Sequence, residues 1–344
     1  NRVLIVVDGV RMNNAIYRSG NLQNIISLDA LAIDDAEIIF GPGSLIYGSD
    51  AIGGVMDFHT LQPKFATPKN NLVSGNALLR YSSANKENTA HFNFNIASSK
   101  LSFLTSFTYS NFSDLQMGKN GGDKSYLRNE YVERTNNADV VVTNDNPRVQ
   151  KFSGYFQKNL LSKLAYQPNK NLLLQYGFHY STTGNTPRYD RLIEYAGNTL
   201  RFAEWNYGPQ TWLMHNLQVQ HSKATKLYNN VRLTVAYQDC EESRIDRRRN
   251  NNNRRTQTEQ VQALSINVDA EKILSTKETI FYGVEFIDNA IGSFGNTQNI
   301  NTQVQTAVAT RYPNNSTWNS YAAYASYKNN VSKKSTISAG LRYN

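Results

Sequence analysis

One cysteine, Cys240, in 344 residues leaves no internal disulfide framework and no cysteine-based metal cluster. No apolar run approaches the ~18 residues that make a membrane-crossing helix, so any crossing has to be made by strands. Charged residues are scarce at 18%, yet mean hydropathy is -0.55, too polar for a helical membrane protein. There is no His-Glu-x-x-His, no nucleophile elbow and no carboxylate pair at a persuasive spacing, so enzymatic activity is not expected. Gly41-Pro42-Gly43 is followed by Ile46 where a dinucleotide loop has its third glycine, and no Gly-Lys-Ser/Thr follows, which argues against a phosphate cradle. His59, His91, His179, His215 and His221 are scattered without the spacing of a metal site. They are expected at half-wet lumen or interface positions rather than as ligands.

What is present is aromatic and alternating. Aromatics make up 11%, with Tyr 21 and Phe 15, alongside abundant Ser, Thr and Asn, a composition suited to strands with one greasy and one wet face. From Leu72 onward apolar and polar residues alternate in long segments. Ala90, Phe92, Phe94 and Ile96 oppose His91, Asn93 and Asn95, and Val231, Leu233, Val235 and Tyr237 oppose Arg232, Thr234 and Gln238. About eleven such segments follow residue 71, each near or above the ~10 residues a tilted strand needs to cross a bilayer. Soluble strands usually run about 5–6 residues.

Connections alternate in length. Short polar turns fall at 98–100, 167–170, 224–226, 275–278 and 331–334, with longer polar connections at about 113–149, 184–206, 243–256 and 291–317. That is the topology of an outer-membrane barrel, short turns on the periplasmic side and long loops outside. The formal net charge of +9 fits anionic lipid or an anionic ligand as well as nucleic acid. Nucleic acid is disfavoured because the aromatics sit on the alternating strands, not among the basic residues.

The first sixty residues differ in texture. Val3-Leu4-Ile5-Val6-Val7 reads as a buried strand ended by the turn pair Asp8-Gly9, and Leu22 to Leu31 carries a short helical pattern. Ile38-Ile39-Phe40 runs into Gly41-Pro42-Gly43, Ser44 to Gly48 reads as a helical turn, and a strand spans Gly54 to Thr60. Gly41, Gly43, Gly48, Gly53 and Gly54 permit close backbone approach while Pro42 stiffens one turn, as in a segment packed inside a confining wall.

Two stretches here resemble the plug of TonB-dependent outer-membrane receptors: Val3 to Asn13, with its Asp8-Gly9 and Arg11-x-Asn13, and Ile33 to Phe58, with Gly41-Pro42, Tyr47-Gly48 and Ala51-Ile52-Gly53-Gly54-Val55. One position departs: Phe40 stands where the family usually has Arg or Lys before Gly-Pro. The resemblance implies a mainly β chain, a partial transmembrane antiparallel β-barrel of about half of a 22-stranded barrel with a small mixed α/β plug fragment at the N-terminus. It divides into the C-terminal part of the plug (1–62), a linker (63–71) and the N-terminal part of the barrel (72–344), in a bacterial outer membrane. Both ends fall inside strand patterns, so the chain is expected to be a piece of a longer protein. Asp8, Gly9, Gly41, Pro42, Tyr47, Gly48, Gly53 and Gly54 are expected to be structural plug residues.

The implied activity is uptake of an iron carrier, a ferric siderophore or haem, as cargo and not as resident cofactor. Segments 185–192 and 202–210 are similar to stretches of haem or iron-carrier receptors of Bacteroidetes-type bacteria. The implied partners are the TonB-ExbB-ExbD energy-coupling complex, gripping an N-terminal box that these residues do not include, and outer-membrane lipid and lipopolysaccharide. The alternative is a receptor for glycans or peptides that works with a surface lipoprotein. Tyr17, Arg18 and Asn21, in the plug loop after the first motif, are the expected ligand contacts. Arg247, Arg248 and Arg249, in a run from Arg244 to Arg255, could gather ligand carboxylates or phosphates. The same run could instead meet lipopolysaccharide or simply be solvated.

Overall fold

The computed structural model describes residues 3–12, 15–16, 23–40, 47–48, 51–120 and 124–344. Near the N-terminus β1 (Val3–Val7), β2 (Val10–Arg11), β3 (Ile33–Phe40) and β4 (Gly54–Thr60) form one sheet in the order β2-β1-β4-β3. Strand β1 runs parallel to β4. Its last four residues are all buried, as a continuous apolar run in a strand covered on both faces should be. Val7 pairs with Val10 across Asp8-Gly9, and both turn residues have positive φ, 49° and 77°. A two-residue hairpin loop with two positive φ angles is the turn that Asp-Gly favours.

After this small sheet the chain builds one large antiparallel sheet. Its first strands are β5 (Leu72–Ser82), β6 (Glu87–Ala97) and β7 (Leu101–Phe112), followed by a separate hairpin of β8 (Glu130–Thr135) and β9 (Ala138–Thr143). Then come β10 (Tyr155–Asn169) and β11 (Leu172–Thr183). A connection follows that holds β12 (Thr186–Pro187), the short helix α1 (Tyr189–Leu192), β13 (Tyr195–Ala196), β14 (Thr199–Leu200) and β15 (Phe202–Tyr207). The sheet continues through β16 (Thr211–Ser222), β17 (Asn230–Arg248), β18 (Asn253–Ile273) and β19 (Glu278–Asn299). It ends with the short β20 (Gln305–Ala307), β21 (Ser316–Ser332) and β22 (Ser335–Tyr343).

The pairing path β5-β6-β7-β10-β11-β16-β17-β18-β19-β21-β22 contains eleven strands, and β5 and β22 do not close on each other. The eleven segments expected from alternation are therefore present as an open, partial barrel. All five short polar turns fall between consecutive sheet strands, at one end of the sheet.

At the other end the sequence reading needs correction. The connection expected at 243–256 is mostly strand, because β17 runs to Arg248 and β18 starts at Asn253, with cross-strand pairs continuing to Asp246↔Arg255. Half of 291–317 is likewise strand, β19 extending to Asn299 and folding back on β20. Polar composition read as loop, but ladder hydrogen bonds serve polar strands equally well once the strands rise past the ~10 residues that lie in lipid.

Burial runs opposite to a soluble protein. On β6, His91 and Asn95 are 6% and 4% exposed, while Phe92 and Ile96 are 46% and 49% exposed. On β7, Ser102, Ser106 and Thr108 are buried and Leu101, Phe103 and Tyr109 are exposed. Polar side chains point to the lumen and the plug, and large apolar ones point away, which is stable only where the outside is lipid. Substituting Phe92, at mid-strand on the outer face, by Arg is expected to cost about 2–4 kcal/mol of folding stability in phospholipid vesicles. A urea titration of vesicle-inserted protein showing no loss would place that face in water.

Candidate functional site

The plug is held against the sheet at its first turn. Asp8 is buried with its carboxylate directed at Lys163 of β10, whose Nζ lies 2.9 Å from Oδ2. The Thr60 backbone N–H donates to Oδ1 at 2.9 Å and the Thr60 hydroxyl to Oδ2 at 2.7 Å. His179 Nε2 of β11 lies 3.3 Å from Oδ2 but is misaligned for a hydrogen bond, so its influence is electrostatic. The Asp8 carbonyl oxygen accepts from Gln218 at 2.6 Å and Asn216 at 3.3 Å, both on β16. Burial alone would push the Asp8 carboxyl up, but the Lys163 ammonium, then the His179 ring and the Thr60 hydroxyl, outweigh it and hold it well below the usual carboxylate range.

A second anchor sits on the next strand. Arg11 donates to Glu285 of β19 at 3.0 Å, and Arg342 of β22 donates to the same carboxylate oxygen at 2.7 Å. Arg11 also donates to the Tyr47 carbonyl at 2.6 Å. Gly48 has φ of 80°, and a Cβ there would come within 3.3 Å of both guanidinium groups. Glycine is therefore required for conformation as well as space. Between the anchors and toward the short-turn end lies a cavity of about 460 Å³ bounded by Arg11, Tyr47, Asp57, Arg232, Asp269 and Tyr324, among others. Burial raises the Asp57 carboxyl, and burial with the neighbouring Asp57 pushes Tyr47 up to about 12. Apolar contact completes the seam: Ile5, Val7, Val10, Met12 and Phe58 pack on Trp212, Met214 and Ala236 of the sheet.

At the long-loop end the connections form a cap joined at Asp139 of β9. Arg247 donates to it at 2.7 and 3.0 Å, Arg134 at 3.0 Å and the Asn250 backbone N–H at 2.7 Å. Glu204 of β15 accepts from Arg247 at 2.8 Å and from Arg254 at 2.7 Å. Tyr195 donates to Glu130 at 2.8 Å, tying the connection after β11 to the β8–β9 hairpin.

A polar-lined wall, a small mixed sheet anchored within its curve and a loop cap above define the site. Residues 1–55 match the family model of the TonB-dependent receptor plug domain. The plug match and the fold together point to the TonB-dependent receptor family. A stretch of 74 residues is 42% identical to the vitamin B12 transporter BtuB of Vibrio vulnificus strain YJ016, covering 21% of this chain and 12% of that protein.

Among solved structures, the copper transporter OprC matches at TM-score 0.73 and 14% identity, over 99% of this chain and 46% of its own. The siderophore receptor PirA from Acinetobacter baumannii matches at 0.61 and 15%, over 99% and 48%. The ferric yersiniabactin uptake receptor FyuA from Yersinia pestis matches at 0.59 and 13%, over 96% and 54%. At these identities the likeness is one of fold. The receptor chain spans about half the length of these solved structures. The fold places it in the outer membrane, crossing with strands; among the described residues no helix is long and apolar enough to cross.

The expected site residues are dispersed. Tyr17, Arg18, Asn21, Gly41 and Pro42 lie outside the described residues. Asp8 and Gly9 form the anchoring turn, Tyr47 and Gly48 contact the Arg11 cluster, and Gly53 and Gly54 lead into β4. Arg247 is 2% exposed, and its guanidinium is occupied by Asp139 and Glu204, as a buried cation needs paired carboxylates. Arg248 is exposed and Arg249 half-buried at the hairpin tip. Sequence reading missed Lys163, Glu285 and Asp139, and it placed His179 on the lumen side without its neighbour Asp8. A charged residue on the wet face of an alternating strand, as Lys163 is between Leu161 and Ala165, was the available signal, but its partner lies 155 positions away.

Proposed function

We infer that the receptor takes up a scarce iron carrier, a ferric siderophore or haem, across the outer membrane by energy-driven movement of the plug. One observation carries this: the plug sheet lies in the curve of the wall and is fastened by two compact ionic anchors, at Asp8 and Arg11, with a short apolar seam between. Such a fastening can be released and remade as a unit, whereas a passive pore has no use for it. The printed functions of PirA and FyuA support iron carriers, and those of BtuB and OprC show that other small cargo suits the same architecture.

In this reading residues 1–62 are the moving element, 63–71 the tether and 72–344 part of the wall. The carrier is taken by Tyr17, Arg18 and Asn21 together with the rim at Arg248 and Arg249. The TonB-ExbB-ExbD complex supplies the energy, and the protein performs no bond-breaking chemistry. Growth of the source bacterium with and without the full-length gene, on haem or on a ferric siderophore as sole iron supply, tests this. Loss of growth on one source names the carrier; unchanged growth on both, in a strain lacking a redundant receptor, would transfer the assignment to glycans or peptides.

A further inference from the structure

Toward the long-loop end the outer face of the wall stops being apolar. Its side chains pass from Ile96 and Phe92 to Asn88 on β6, and from Leu164 and Leu160 to Lys158 on β10. The change comes about ten residues from the short turns, the length of tilted strand that lies in lipid, so it marks the outer edge of the hydrocarbon band. There Tyr109, Lys158, Thr182 and Thr211 stand in one cross-strand row over β7, β10, β11 and β16, the two threonine hydroxyls 3.0 Å apart. Asn111 follows Tyr109 on the same face of β7. Lys158 is exposed, its Nζ 5.6 Å from the Phe156 ring centroid, and among the described residues no carboxylate pairs with it. An ammonium kept at the edge of hydrocarbon calls for a counter-charge. Arg247, Arg254 and Arg255, also at this end, already have theirs. Farther round the wall the same boundary is acidic. Asp239 on β17 and Asp288 on β19 face outward, and Asp239 accepts from Gln260 at 3.2 Å.

We propose that the Lys158 row docks the phosphorylated headgroup of an outer-leaflet glycolipid, with Lys158 on a phosphate and Tyr109, Asn111, Thr182 and Thr211 on the sugar. Lysine meets phosphate as a point charge, while hydroxyls and amides can donate to or accept from sugar hydroxyls. Below the row the outward face of β6, β7, β10 and β11 is largely apolar. Four strands about 4.8 Å apart make a strip broad enough for several acyl chains side by side, more than the two chains of a glycerophospholipid would cover. The acidic arc at Asp239 and Asp288 repels the same phosphate, so the lipid is held on one side of the wall. This surface faces lipid and not the lumen, so the inference does not depend on which cargo the receptor takes.

The test is native mass spectrometry of the full-length receptor in detergent, titrated with bis-phosphorylated lipid A. One lipid A is expected to be retained. Lys158→Gln should weaken retention by at least about tenfold, the usual worth of a hydrogen bond to a charged group, whereas Lys158→Arg should keep it. Asp239→Asn, on the acidic arc, should not weaken it. Lipid A stripped of its phosphates should bind the parent as poorly as intact lipid A binds Lys158→Gln. Wild-type retention in Lys158→Gln, or unchanged retention of the stripped lipid, would overturn the site. Equal retention of phosphatidylglycerol and lipid A would overturn it too, by showing only a preference for anionic lipid. Should Lys158→Gln fail to fold, the stripped lipid on the parent decides by itself. The readout is lipid binding, so its failure is separate from failure of the growth test.

Discussion

Asp8→Asn is expected to weaken plug docking by about 3–5 kcal/mol, the usual cost of removing one partner of a buried ion pair. The substitution barely changes size, but it leaves the Lys163 ammonium, 1% exposed, without its counter-charge. Thr60 also loses a charged acceptor for its N–H and hydroxyl. Hydrogen–deuterium exchange of the full-length receptor should show faster exchange across β1 and β4, with the outer wall unchanged. Replacing both partners, Asp8→Leu with Lys163→Met, should recover much of the loss, since a buried pair exchanged for apolar groups of similar volume is often neutral. Unchanged exchange in Asp8→Asn would mean that the apolar seam, and not the ion pair, holds the plug.

The pH dependence has a definite sign. The folded-state pKa of Asp8 lies below its ordinary value of 3.8, so its contribution is fully present above that value and is lost as the pH falls through the depressed folded-state value. Docking should therefore not vary on account of Asp8 anywhere between neutral pH and mildly acid conditions. Weakening of docking on going from pH 7 to pH 5 would have to come from another group.

Arg247→Ala is expected to release the outer cap, again by about 3–5 kcal/mol, because Asp139 is left fully buried with reduced compensation and Glu204 loses one of its two arginines. Burial raises the Asp139 carboxyl, but the hydrogen bonds from Arg247 and the Asn250 backbone overcome it and bring it below the usual range. The effect should be local. Exchange and protease sensitivity should rise in β8, β9 and β15 while the sheet's own melting stays put, since Arg247 lies past the last β17–β18 pair, Asp246↔Arg255, and its only ladder partner is Glu204 of β15. A lowered barrel melting temperature without loop exposure would show that the cap is part of the wall's cooperative unit. If instead cargo binding fell with the cap intact, the arginine would belong to the ligand site.

Much of the architecture was legible because it rests on local rules. Alternation with period two marked the wall strands, and short polar turns marked where they reverse. Asp8-Gly9 announced a hairpin because two adjacent residues of positive φ admit few residue types. The loop end was less legible. Arg244 to Arg255 reads as a solvated charge run, and nothing local says that Asp139 and Glu204 come from elsewhere to neutralise it. Whether a polar segment is loop or ladder depends on a partner strand that sequence periodicity does not name.

The sequence by itself determined the resemblance to the receptor plug, the eleven alternating strands and the strand turn that carries Asp8, because side-chain period, turn stereochemistry and the plug motif are properties of neighbouring residues. Only the tertiary structure decided which charges are spent and which are free. Lys163 and Asp8 are 155 residues apart, Arg11 and Glu285 are 274 apart, and Arg247 and Asp139 are 108 apart. Electrostatic pairing in a buried, low-dielectric seam depends on distance in space, which the curving of the sheet against the N-terminal strands sets and no local pattern records.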